Sequence, residues 1–162
     1  QHEHIGYNYR MSNICAGIGR GQMTVINEHI AHHRHVHKLY EEAFTNIEGI
    51  TLMSNPDNRF NANYWLCTIL IDKEITGFDY DELRVALDGK GIETRPFWKP
   101  MHLQPVFKNN PCYIDGTSEK LFNKGLCIPA GPCVTDEDVA YIVNEIKKLI
   151  KKKQGEKLLA DI

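Results

Sequence analysis

Three prolines within eleven residues constrain this chain more than any other feature: Arg95-Pro96-Phe97-Trp98-Lys99-Pro100-Met101-His102-Leu103-Gln104-Pro105. Each pyrrolidine ring locks its own φ at about −65° and pushes the preceding residue out of the α region. The segment therefore reads as a stiff, extended loop. It carries two cations, an indole and an imidazole, groups that grip a phosphate or stack on a flat ring. A merely connecting loop does not need that chemistry, although a proline-rich aromatic loop also serves as plain packing. The segment alone leaves both readings open.

The flanking sequence supplies the elements that hold this loop. Ser12 is a good N-cap for a helical stretch over residues 12–46, with a bend expected near Gly17, Gly19 and Gly21. Val25, Ile26, Ile30, Val36, Leu39, Tyr40, Ala43 and Phe44 recur at three- and four-residue spacing and form its buried face. Residues 50–53 and 64–71 read as strands, separated by an Asn-, Asp- and Pro-rich loop. A helix starting at Asp79 or Asp81 runs through Leu87 and stops at Gly89 and Gly91. Residues 92–94 read as a third strand feeding the proline loop, and a short helix covers residues 118–123. Thr135 and Asp138 have capping-box spacing ahead of a last helix with the stripe Val139, Ile142, Val143, Ile146 and Ile150. Residues 154–162 are expected to fray. The order of elements predicts an α+β layer, a small, mainly antiparallel sheet covered by helices on one face and preceded by a long helix.

At 162 residues the chain is one domain or one domain with an extension, long enough to bury its own core. A net charge of −2 gives no long-range pull toward nucleic acid or an anionic membrane. The basic cluster from Lys147 to Lys153 reads as a solvated helix face. No apolar run approaches the roughly 20 residues that span a bilayer, and there is no signal peptide at the front. Five cysteines with no C-x-x-C pair point to a reduced, cytoplasmic protein, with Cys15 and Cys67 as small core residues. No nucleophile elbow, Walker loop or Rossmann fingerprint is present.

Three blocks together resemble the DegT-type pyridoxal-phosphate (PLP) aminotransferases that act on keto sugars attached to nucleotides. Gly6, Asn8, Arg10, Met11 and Ser12 match a G-x-N-x-R-M-[ST] block that opens a long helix. The proline loop matches R-P-x-W-K-P-M-H-x-Q-P. Gly125-Leu126-Cys127-Ile128-Pro129-Ala130-Gly131-Pro132, with Thr135 to Val139, is similar to the family's G-L-C-L-P-S-G-P ending. The tryptophan-lysine form of the middle block most resembles the subgroup acting on UDP-linked 4-keto-6-deoxy sugars for surface glycans.

The resemblance implies the small C-terminal domain of a fold-type I PLP enzyme. It covers only the C-terminal part of family members, so the Schiff-base lysine would lie upstream of Gln1, and no catalytic residue is expected in this chain. Residues 1–47 would bridge to a large domain, residues 48–153 would form the small domain, and the intact enzyme would be a homodimer. The amino donor would be an amino acid, glutamate by expectation. Asn8 would reach the cofactor phosphate across the dimer, with Arg10 beside it. Asn8 could equally satisfy a turn, and Arg10 could hold the loop to the helix. Arg95, Trp98, Lys99 and His102 are the candidates for gripping the sugar nucleotide, against a reading in which Arg95 and Trp98 only pack the loop down. His29, His33 and His37 share a helix face at zinc-binding spacing, but no third ligand follows, and a solvated or packed face is expected. Two rivals stay open: a dehydratase relative with histidine in place of the upstream lysine, and a non-catalytic module that binds a sugar nucleotide or dimerises. The first forty residues should expose an apolar patch containing Ile14, Ile18 and Met23.

Overall fold

The computed structural model describes residues 1–7 and 10–160. Ser12 caps α1 (Asn13–Met23), its hydroxyl accepting from the Cys15 N–H at 3.2 Å. The helix does not run on to residue 46. Thr24 Oγ1 turns back onto the Gly21 carbonyl at 2.7 Å, Val25 leaves the helical region at φ −119° and ψ 6°, and α2 (Ile26–Phe44) starts afresh. A hydroxyl competing for a backbone carbonyl makes the break. The three glycines lie inside α1 instead, with open space around each. No residue of α1 is buried, and Ile14, Ile18 and Met23 are exposed as expected. Cys15 is exposed rather than a core residue, because it shares this uncovered helix.

Gly49 takes φ +82° and turns the chain into β1 (Ile50–Leu52), where an added methyl group would stand 2.7 Å from Thr76 Cγ2. β2 (Cys67–Ile71) begins three residues later than expected, since Tyr64 adopts φ +51° and cannot sit in a ladder. A single turn, α3 (Lys73–Thr76), leads to α4 (Tyr80–Asp88), whose capping box pairs Asp79 with Glu82. The third strand is displaced. Residues 92–94 are not paired, and β3 is Arg95–Pro96, the first two residues of the proline loop. Proline tolerates this place because β3 is a sheet edge, needing bonds on one side only. After α5 (Thr117–Phe122) comes β4 (Gly125–Ile128), a strand the sequence pattern does not announce, buried at all four residues.

The sheet order is β1-β2-β4-β3, antiparallel throughout, so β4 sits inside the sheet between β2 and β3. Cys67, Ile69 and Ile71 alternate toward the core of β2. They meet Val36, Tyr40 and Phe44 of α2, Leu83 and Leu87 of α4, and the stripe of α6 (Asp136–Ala160) in one cluster. Tyr40 is fully buried, and its hydroxyl donates to the Pro129 carbonyl at 2.9 Å, tying α2 to the end of β4. The last helix starts where expected, Thr135 and Asp138 bonding reciprocally at 2.9 and 3.1 Å. It then continues through Ala160 past the expected fraying point, with Lys152 and Lys153 paired to Glu156 and Lys153 also to Glu82.

Candidate functional site

The proline loop starts in β3 and stays alongside β4 for one residue more. The Phe97 N–H donates to the Gly125 carbonyl at 3.3 Å, and the Phe97 ring covers the bare Cα of Gly125. Two 3-10 turns follow, Met101–Leu103 and Pro105–Phe107. Gln104, between them, is buried, and each end of its amide makes a bond. Its Nε2 donates to the Lys99 carbonyl at 3.1 Å, and its Oε1 accepts from the His2 N–H at 3.0 Å. The His2 carbonyl in turn accepts from the Val106 N–H at 3.2 Å. The chain start is thereby clipped to the loop.

The structure separates the expected substrate residues into two places. Arg95 borders a cleft of about 570 Å³ whose walls include Trp65, Cys133 and Tyr141, over a floor of Ile92, Ile128 and Ile142. Its guanidinium pairs with Glu93, and both side chains are largely in water, so the pair contributes little to stability. Trp65 is 61% exposed and gives this cleft a flat aromatic wall. Among the described residues, Trp98, Lys99 and His102 do not line it. Trp98 stands 69% exposed on the loop, with Lys99 half-buried beside it. His102 turns to α5, its Nε2 lying 2.8 Å from Glu119 Oε1.

On the cofactor side, Arg10 is exposed at the entrance to α1, and Asn8 lies outside the described residues. A Schiff-base lysine needs a lowered pKa. Lys73 goes the other way, held above the usual amine range by Asp79 and then Glu82. Lys73 is thus not poised for that role.

Three histidines of α2 make packing bonds. The His33 imidazole lies 2.6 Å from the Ala130 carbonyl, and His35 meets Asp136 at 2.8 Å. His37 is buried, 3.1 Å from the Met53 carbonyl, with its ring stacked on Tyr64 at 3.6 Å. The sequence alone does not mark out Gln104, Glu119 or Trp65. Gln104 stands inside the proline block and Glu119 soon after it, but their roles depend on contacts the sequence does not display.

Comparison with known proteins agrees with this architecture. The model of the DegT/DnrJ/EryC1/StrS aminotransferase family matches residues 1–147. EpsN of Bacillus subtilis (strain 168) is 32% identical over 167 residues, aligned with all of this chain and 42% of its own length. GDP-perosamine synthase of Escherichia coli O157:H7 is 32% identical over 152 residues, covering 94% of this chain and 40% of the relative. The crystal structure of Helicobacter pylori PseC, an aminotransferase involved in the biosynthesis of pseudoaminic acid, superposes with a TM-score of 0.76 at 17% identity. It covers 94% of this chain and 41% of that one. These likenesses define a small α+β fold shared with part of a solved aminotransferase. The chain belongs to the DegT/DnrJ/EryC1/StrS aminotransferase family. It spans about two fifths of the length of the curated relatives it matches.

Proposed function

We propose that this chain is the C-terminal part of a PLP-dependent aminotransferase that transfers an amino group from an amino acid, glutamate, to a nucleotide-linked keto sugar for glycan assembly. The observation that carries this reading is the family match over residues 1–147, within which GDP-perosamine synthase is 32% identical. When bound, PLP supplies an electron sink, while the protein binds and orients what reacts.

In this reading the chain provides a binding wall. Trp98 offers a stacking face, Lys99 and Arg95 offer positive charge, and His102 contacts the sugar nucleotide. Asn8 and Arg10 turn toward the cofactor phosphate in a cytoplasmic homodimer. The uncovered face of α1, with Ile14, Ile18 and Met23 exposed, suits the bridging role of the first 47 residues.

The test uses the intact protein that carries this chain, incubated with PLP, glutamate and a UDP- or GDP-linked 4-keto-6-deoxy sugar. Mass spectrometry should find the 4-amino sugar nucleotide with the intact protein and none with residues 1–162 alone. Loss of water from the sugar without gain of nitrogen would support the dehydratase relative instead.

A further inference from the structure

His102 and Glu119 are held from opposite sides of one contact. The turn carrying His102 is closed by the Leu103 N–H donating to the Pro100 carbonyl at 3.0 Å and by the two bonds of Gln104. The turn carrying Glu119 is set by Asp115 Oδ1, which accepts from the Thr117 N–H at 2.9 Å. The His102 side chain is 15% exposed and that of Glu119 is 38% exposed.

A carboxylate can only accept, so the 2.8 Å bond requires the ring proton on Nε2. Neutral imidazole has one N–H, and Nδ1 then carries a lone pair. Resting on the function proposed above, we infer that Glu119 is a positioning residue. It fixes His102 as the Nε2–H tautomer, so that Nδ1 accepts a hydrogen bond from a hydroxyl of the substrate's sugar. Carboxylates orient histidines in this way in hydrolytic triads. A phosphate oxygen has no proton to give such a nitrogen, and the Glu119 charge repels it. Contact with the diphosphate therefore falls to Lys99, on the same loop as His102.

Imidazole ¹⁵N spectra of this chain, with His102→Gln to assign the ring, read the tautomer without a ligand. The wild type should show His102 with its proton on Nε2. Glu119→Gln should give a mixture of tautomers, and Glu119→Asp should restore the preference in large part. A proton on Nδ1 in the wild type, or spectra unchanged by Glu119→Gln, would overturn the pairing. Should Glu119→Gln fail to fold, Glu119→Ala decides: a mixture of tautomers supports the pairing, and an unchanged ratio rejects it.

UDP-glucose and UDP are then titrated into the intact protein. Glu119→Gln should weaken UDP-glucose about tenfold, the loss of one hydrogen bond, and leave UDP unchanged. Equal weakening of both would overturn the hydroxyl role. No binding by the wild type of either, or of GDP-mannose and GDP titrated alongside, would overturn the proposed function and the hydroxyl role with it, while the tautomer spectra still decide whether Glu119 orients His102.

Discussion

The Phe97 ring occupies the space where a side chain at Gly125 would begin, so that a Cβ there would meet Phe97 Cγ and Cδ2. The same two residues share a backbone bond, Phe97 N–H to Gly125 O at 3.3 Å. A glycine in β4 is thus the seat on which the proline loop rests. Gly125→Ala should destabilise the fold by about 1–3 kcal/mol through overpacking. Adding Phe97→Ala should recover part of that loss, since contacting positions are not additive. Urea melts of the two single variants and the double variant check this. Strict additivity would refute the contact.

Gln104 clips residues a hundred positions apart, and its removal should be felt at both ends. Gln104→Ala leaves the Lys99 carbonyl and the His2 N–H without their partner, at a cost of about 1–3 kcal/mol. Amide exchange at Val106 should quicken, because the His2 carbonyl that holds it is no longer anchored. Exchange at β2 should stay as it was. Gln104→Glu should be at least as damaging, since a carboxylate cannot donate to Lys99.

The cysteines should divide by burial. Burial pushes the Cys67 thiol up to about 12 and raises that of Cys127, whereas Cys15, Cys112 and Cys133 are exposed. A thiol reagent at pH 8 should label three groups quickly and reach the other two only on unfolding. Fast labelling of Cys67 would mean that the core of β2 is open to solvent.

Acid should loosen α4. The Asp79 carboxyl is held below the usual carboxylate range by backbone bonding from Glu82 and then by Lys73. Glu82 is lowered by the Asp79 backbone and Lys73. Because folding lowers both groups, their contribution is fully present above ordinary carboxylate values of about 4 and is lost as pH falls through the lowered folded values. Asp79→Ala should cost about 1 kcal/mol at neutral pH, the worth of an N-cap, and flatten the decline in melting temperature between roughly pH 5 and pH 2. An undiminished slope would exclude Asp79 as a source of it.

Which parts of this fold can be read from sequence follows from how local each cause is. Ser12, Asp79 and Thr135 announce helix starts because a cap is settled within four residues. β4 escapes because Gly125, Leu126, Cys127 and Ile128 are buried on both faces and show no alternation. β3 is displaced because Pro96 looks like an exit from the sheet when it lies on the edge. Within the candidate site, the side chains of the proline loop are visible as chemistry. Their partners are not, since Glu119 meets His102 only after α5 has folded back, and Trp65 shares a cleft with Arg95 across two strands.

Helix α1 has an energetic consequence. Eleven residues with three glycines and no buried side chain fall below the length at which a helix sustains itself in water, and each glycine adds about 1 kcal/mol against it. Its helicity therefore cannot come from within. A surface that covered Ile14, Ile18 and Met23 would supply it, and coiling of α1 and engagement of that surface would then be one equilibrium rather than two. Backbone protection in α1 would then serve as a gauge of assembly, rising with occupancy while the protection of α6 holds steady.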